Sequence, residues 1–563
     1  MSLIVKCRLT DHLEKSGFIA PGFRSGHSTY DQIYRLRKDI HTSLNSRKVL
    51  PVLFLDIVKA FDRVPHDRLL FKLHRFAGIS GKAWGWIRAF LTDRKFFVTS
   101  NGTKSDPVFA RAGVPQGTVL APLFFLIYIN DLIPPALLSS ACVNAAMFAD
   151  DVCVWPSLSV TRLKSQYNCL RKFLKHCTEW SEVWGLEFSV DKTQIVLFNR
   201  KRNSIVKPLH PLCLTGRAVS FASSYKYLGV LMDENGSFST HCTQLITKAK
   251  LTAFQIARIF RRNKAPTPTI ALNLIKAILI PQICYGFHFI ITPTKKLISS
   301  LTQVMALALR RSLCLSTSTA AQRVIWEFGL PDVGSIHTHC VLQTYNRSLL
   351  ISRSHPHSLP AMYANDVSLH VPDPAQKFHK SLSSLCRAIL TRIPPQFTFP
   401  LKSKTLTSLT ALHATEHWVD TTWQQYRIIK PHYAMCDYLS VDWMPAAVIR
   451  ARLRMGALCT HVRLWQSKTT DSPLCPQCRV EGDATHMLLL CPVFRLLRDK
   501  CQEQLNALYY PVELSVQLLF GEPPPPPNDR TLYDEKTFLR IIHLKCLAIT
   551  AEYLCAVSSK HFL

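Results

Sequence analysis

Met147-Phe148-Ala149-Asp150-Asp151-Val152-Cys153-Val154-Trp155 sets two adjacent carboxylates between two apolar runs. The stretch reads as a strand, a tight turn at Asp150-Asp151 and a second strand. Asp is a common turn former because its side chain hydrogen-bonds its own backbone, so the pair alone is better explained as a turn than as a site. A third acid upstream changes that balance. In Phe54-Leu55-Asp56-Ile57-Val58-Lys59-Ala60-Phe61-Asp62, the segment from Pro51 to Ile57 reads as a buried strand that delivers Asp56 at its end. One carboxylate from a strand end and two from a neighbouring hairpin can converge on one spot. Three anionic oxygen donors are what Mg²⁺ prefers, with waters and substrate phosphates completing its shell.

The 563 residues hold 47% hydrophobic and 10% aromatic residues, a globular composition that excludes a disordered chain. Lys and Arg outnumber Asp and Glu by 68 to 37, a net charge of +31. An excess that large implies a polyanionic partner, most simply nucleic acid, without saying which. Residues 1 to 20 do not read as a secretory leader, so the 19 Cys are expected to be reduced and intracellular, with no disulfide framework. Charged residues or Pro interrupt the two most apolar stretches, Val119 to Asn130 and Ala271 to Ile291, and neither reads as a membrane span.

Gly17 to Thr29 is a turn-rich loop before a helix from Tyr30 to about Asn45; its amides and Arg24 can hold phosphate, although an ordinary loop explains them equally well. Pro65 to Ala77 reads as a helix burying Leu69, Leu70, Leu73 and Phe76, and Ser80 as the cap of a second helix. Strands at Lys95 to Ser100 and Val108 to Ala112 flank an Asn101-Gly102 turn. In Ala112-Gly113-Val114-Pro115-Gln116-Gly117, the glycines allow close backbone approach to a ligand and Gln116 offers an amide; a helix-entry loop is the plain alternative. A helix from Thr161 to Gly185 follows, then strand segments Leu186 to Val190 and Thr193 to Phe198 around Asp191-Lys192, and a short strand at Tyr225 to Val230. Arg258, Arg261, Arg262 and Lys264 form a basic helix end that suits either solvent or a phosphate backbone. The region from about 300 to 470 reads as mostly helical, with basic and aromatic residues interleaved from Trp418 to Lys430.

Cys475-Pro476-Gln477-Cys478, then His486 and Cys491, carries a stronger signal. A Cys pair two residues apart, with His and Cys close behind, supplies four tetrahedral ligands for a structural zinc ion; His461 and Cys501 are the alternatives.

Taken in order, GFRSGHST, FLDIVKAFDRVPH, GVPQGTVLAPLFFLIYINDL, FADD, FSVDKTQIVLF and YKYLGV resemble the reverse transcriptases of non-LTR, jockey-like retrotransposons. The resemblance covers roughly residues 15 to 235 and more weakly the tail. It implies an α+β right-hand polymerase: fingers and palm with an antiparallel sheet over 1–235, a helical thumb over 236–300, an α-rich region over 301–470, and a zinc-knuckle-like segment with terminal helices over 471–563. It implies RNA-directed DNA polymerase activity, adding dNTPs to a DNA primer on an RNA template, in the nucleus when DNA primes synthesis. Asp56 and Asp150 would be the principal ligands of two Mg²⁺ ions, with Asp151 in support and Lys192 facing the leaving pyrophosphate. Phe61 would lie under the sugar, Gln116 and Gly117 against nucleotide and template, Arg24 at the triphosphate, and Tyr227, Leu228 and Gly229 at the primer. Complete elements of this kind also carry an endonuclease and an earlier fingers segment. Only about 15 residues precede Gly17, so the sequence reading expects both to be missing, and finds no ribonuclease H carboxylate set. A truncated, inactive nucleic-acid-binding remnant is therefore the alternative. An RNA-templated RNA polymerase shares the carboxylates, but Phe61 and the GVPQG loop speak against it.

Overall fold

The computed structural model describes residues 2–15, 28–139, 142–200, 208, 210–260, 267–290, 293–354, 436–442, 444–455, 458, 460–466, 468–508, 512–524 and 535–561. Arg24, Arg261, Arg262, Lys264 and the Trp418 to Lys430 stretch lie outside them. The chain divides into two compact units, Met1–Cys242 with Thr344–Pro400, and Thr243–Gln343 with Leu401–Leu563.

The first unit opens with helices α1 (Ser2–Lys15) and α2 (Thr29–Asn45), strand β1 (Leu50–Leu55), and helices α3 (His66–Arg75) and α4 (Gly81–Leu91). Four two-residue strands follow, β2 (Lys95–Phe96), β3 (Thr99–Ser100), β4 (Thr103–Lys104) and β5 (Val108–Phe109). Then come helices α5 (Ala121–Ile129) and α6 (Pro135–Ser139), the hairpin β6 (Val143–Phe148) and β7 (Asp151–Pro156), and the long helix α7 (Leu163–Trp184). The unit closes with β8 (Gln194–Phe198), β9 (Cys213–Leu214), β10 (Arg217–Ala218), β11 (Ser220–Ala222), β12 (Ser224–Tyr227) and β13 (Val230–Asp233).

The central sheet runs β11-β8-β1-β7-β6, antiparallel except for the parallel β11–β8 pair. All six residues of β1 are buried, as an uninterrupted apolar run requires when both sheet faces are covered. Pro51 is tolerated there because β7 pairs with β1 only from Leu53 onward, leaving Pro51 laddered to Leu197 alone. Helix α5 is buried at every position but Pro122 and shares the core of the sheet with α3 and α7.

Several expectations are corrected. Phe148 pairs with Asp151, so the turn falls on Ala149-Asp150 and Asp151 is the first residue of β7. The shift arises because Ala149 adopts φ +56°, a left-handed conformation that turn rules assign to Gly, Asn or Asp. Leu186 to Val190 is not a strand; its ladder is a single bridge, Ile57 to Phe188. Phe76 is 47% exposed, and Lys72 is buried in its place. The Lys72 ammonium donates to the Tyr128 carbonyl and pairs with Asp131 under the rings of Tyr128, Trp180 and Trp184. Cys142 and Cys169 form a disulfide, with Cα atoms 5.7 Å apart. Their separation of 27 residues gave no signal; the packing of α7 against the β6–β7 hairpin brings them together.

The second unit is mainly helical among its described residues. Arg450 is fully buried and saturated: it donates to Asp442 Oδ2 at 2.8 Å, to the Leu519 and Leu547 carbonyls at 2.8 and 3.0 Å, and to Thr550 Oγ1. Arg454 pairs with buried Glu327 in the same manner. Two helical stretches, Pro268–Phe289 and Arg540–Ser558, are long and apolar enough to cross a membrane by length and composition. Ile542, Cys546, Tyr553, Leu554 and Val557 of the second contribute to an apolar core.

Candidate active site and cysteine-histidine cluster

Strand β1 ends at Leu55 opposite Val152, which sets Asp56 beside Asp151, the first residue of β7. Asp150 occupies the turn just before it. The three acids repel one another. Partial desolvation by the strand ends pushes the Asp151 carboxyl up to about 6, with the charges of Asp150 and Asp56 adding to the rise. Burial also raises Asp150; its own backbone N–H opposes the rise and Asp56 adds to it. Asp151 keeps an exposed face, so solvent screening tempers the effect. The single cation ion-paired with these acids among the described residues is Lys192, whose Nζ lies 3.8 Å from Asp56 Oδ2 on a side chain that is 74% exposed. The three acids are near enough to raise one another's pKa and carry little countercharge, which favours a cation nearby, but among the described residues only Cys475, Cys478, His486 and Cys491 come close enough together to hold one metal ion.

The backbone around Asp56 is fastened on both sides. The Asp56 N–H donates to Thr193 Oγ1 at 3.3 Å and the Asp56 carbonyl accepts from the Ser189 N–H at 2.8 Å, while the Val58 N–H reaches the Glu187 carbonyl. Thr193 is fully buried. Sequence reading passed over it, although it directly follows Lys192. Tyr225 was also missed: its ring stacks on Phe54 at 4.3 Å, and burial together with Asp151 and Asp56 pushes its hydroxyl up to about 12. Behind the hairpin, Asp39 of α2 accepts from Trp155 Nε1 at 2.8 Å and Asn144 Nδ2 at 3.1 Å, bracing β6 and β7.

Phe61 stacks on Phe125 of α5 at 4.3 Å, and its carbonyl accepts the Val114 N–H at 2.9 Å. Gln116 Nε2 donates to Asp62 Oδ1 at 2.7 Å, so the Gly113 to Gly117 loop is joined to the segment leaving Asp56. Gly113, at φ +92°, lies so close that a Cβ there would meet the Asp62 carbonyl oxygen at 2.8 Å. Gly117 takes φ +80° in open space. Tyr227, Leu228 and Gly229 form the end of the β12–β13 hairpin, with Leu228 and Gly229 both at positive φ. The Tyr227 hydroxyl donates to the Ala146 carbonyl at 3.2 Å, which fixes this hairpin to β6.

In the second unit, Cys475 and Cys478 sit on a tight hairpin closed by Cys475 N–H to Val480 O at 2.8 Å and Arg479 N–H to Cys475 O at 2.9 Å. His486 begins a π-helical turn, His486–Leu490, and Cys491 follows it. One ligand atom from each of Cys475, Cys478, His486 and Cys491 lies within 4.8 Å of all the others. Cys478 Sγ and Cys491 Sγ are 3.8 Å apart. Two thiolates on one tetrahedral zinc, with bonds of about 2.3 Å, stand about 3.8 Å apart. His486 Nε2 is buried without a hydrogen-bond partner. The donor set therefore fits a tetrahedral metal ion. Cys501 is not part of it; burial, with Cys546 adjacent, pushes its thiol up to about 12.

A mainly antiparallel sheet thus presents three acids at adjoining strand ends. Residues 1–232 match the family described as "Reverse transcriptase (RNA-dependent DNA polymerase)". It is 30% identical over 290 residues to the "Probable RNA-directed DNA polymerase from transposon X-element" of Drosophila melanogaster, covering 50% of this chain and 31% of that protein. It is 27% identical over 344 residues to the "RNA-directed DNA polymerase from mobile element jockey" of the same organism, covering 60% and 36%. The chain thus spans about a third of the length of these relatives. Telomerase from Candida albicans overlaps 66% of this chain and 59% of its own at a TM-score of 0.30 and 14% identity, a likeness too slight to bear on the fold.

Proposed function

We propose that the chain is an RNA-directed DNA polymerase of a non-LTR retrotransposon, extending a DNA 3′-hydroxyl with dNTPs on an RNA template. The neighbouring positions of Asp56, Asp150 and Asp151 at one end of the sheet, inside the matched residues 1–232, support this reading. Asp56 and Asp150 would hold two Mg²⁺ ions with Asp151 in support; when bound, the ions activate the primer hydroxyl and neutralise charge at the α-phosphate. Lys192, exposed and ion-paired with Asp56, would neutralise or protonate the leaving pyrophosphate. Phe61, held by Phe125, would lie under the sugar and disfavour a 2′-hydroxyl. Gln116 and Gly117, tied to Asp62, would meet nucleotide and template, and Tyr227 to Gly229 the primer end. Arg24 joins the triphosphate contacts on the strength of its motif alone.

The finer organisation belongs to the same proposal: fingers and palm over 1–235, thumb over 236–300, an α-rich region over 301–470, and a structural zinc ion on Cys475, Cys478, His486 and Cys491 within 471–563. Primer extension on an RNA template with dNTPs and Mg²⁺ tests the activity. The chain should extend the primer and its Asp150→Ala variant should not; equal incorporation by both, or none by either, removes the polymerase assignment.

A further inference from the structure

Between α4 and the Gly113 loop, residues 93–109 form a ribbon exposed on both faces. The pairs Lys95 to Phe109, Phe96 to Val108, Thr99 to Lys104 and Ser100 to Thr103 ladder it, and Ala110 N–H to Arg94 O at 2.8 Å closes its base. Asn101 and Gly102, both at positive φ, make its tip. Five large apolar side chains lie bare on it: Phe96, Phe97, Val98, Val108 and Phe109, each 50–63% exposed. A two-stranded ribbon with no core of its own is marginally stable in water, so such a surface is suited to being covered.

The chemistry of the ribbon indicates what covers it. Lys95 Nζ lies 4.7 Å from the Phe109 ring centroid and Lys104 Nζ 4.8 Å from that of Phe97, while Arg94 lies over Phe90 at the base. Cations interleaved with exposed rings form a platform on which bases stack while phosphates are neutralised. Over residues 93–111, Arg94, Lys95, Lys104 and Arg111 outnumber Asp93 and Asp106, and together with the chain's net charge of +31 this favours a polyanion as the occupant. We propose that this ribbon is a docking arm for single-stranded nucleic acid, with Phe97 and Phe109 as stacking rings and Lys95 and Lys104 as phosphate contacts. At its C-terminal end the arm runs directly into the loop of Gln116: Ala112 bridges to Pro65 and the Gly113 N–H donates to the Val64 carbonyl at 2.8 Å. A strand held on the arm is thereby joined by a short, fixed connection to the proposed nucleotide loop. In that respect the inference rests on the polymerase reading, but the docking itself needs no catalysis.

The test measures equilibrium binding of fluorescent U-rich RNA and T-rich DNA oligonucleotides of about 20 nucleotides, beside a duplex of equal length, to the full chain carrying Asp150→Ala. Phe97→Ser/Phe109→Ser should weaken single-strand binding about ten-fold or more and leave the duplex within about two-fold. Lys95→Ala/Lys104→Ala should lower the slope of log K against log salt by about 1 to 2. Because the arm lies outside the core, both variants should keep the parental unfolding temperature. Unchanged single-strand affinity in the aromatic variant would overturn the proposal. So would an equal loss on duplex, or conversion of an associated chain to a smaller species in sedimentation, which would make the ribbon an interface between copies. Failure of primer extension alone would leave this result standing.

Discussion

Asp151 has a carboxyl held near pH 6 in the folded chain and near 3.8 when unfolded, so the folded state binds its proton more tightly. Its contribution to stability is therefore fully present below about pH 4 and is lost as pH rises through 6. In Mg²⁺-free buffer, Asp151→Asn should flatten the fall in unfolding temperature between those values; parallel curves for the two proteins would refute the electrostatic account. At Gly113, an added methyl meets a main-chain oxygen at 2.8 Å with φ at +92°. Gly113→Ala should cost about 1–3 kcal/mol, read as a drop of several degrees in thermal unfolding; an unchanged midpoint would show that the loop gives way. The carboxylates were legible because apolar strand runs on either side announced them. Thr193, Tyr225 and Asp39 were not, since a buried hydroxyl, a stacked ring and a bracing acid acquire their roles only from partners distant in sequence.

At the scale of elements, the cysteine hairpin was readable from spacing alone, because Cys475 and Cys478 must share a turn and His486 and Cys491 follow within one helical turn and its exit. A zinc-specific chelator should lower the unfolding temperature of the second unit by several degrees and release about one zinc per chain. Cys475→Ser/Cys478→Ser should carry less metal and lose the chelator response, and an unaltered metal content would eliminate the site. Helix α3 was legible in extent and in its buried Leu69, Leu70 and Leu73, but not in Phe76 just beyond it, which is exposed. Apolar spacing put Phe76 inside and said nothing of Lys72, whose ammonium, with a carbonyl, a carboxylate and three aromatic rings around it, can be buried. Burial still lowers the Lys72 pKa to about 8 against the pull of Asp131, a sign that the enclosure compensates only in part. Strands β2 to β5 were foreseen as two longer runs; they break into short ladders because no core lies beneath them to hold the register.

Across the whole molecule, the first unit is discontinuous, built from Met1–Cys242 and a return segment beginning at Thr344. Arg347 of that segment makes two bonds, 3.0 and 3.2 Å, to the Asp31 carboxylate near the start of α2, and Asp31 in turn accepts the Ser28 N–H at 2.7 Å. Arg347→Ala leaves a buried carboxylate without its cation and should cost about 1.5–3 kcal/mol, measurable by denaturant unfolding. A variant as stable as the parent would show that the pair is dispensable. No sequence pattern pointed to this closure, because it links residues 316 apart.

That arrangement also sets a schedule during synthesis. A ribosome that has finished β13 must add about a hundred more residues before Arg347 emerges, roughly 5–20 s at ordinary elongation rates. Until then the nascent first unit waits with Asp31 unpaired from Arg347, so premature termination in that window would release it missing its last stitch.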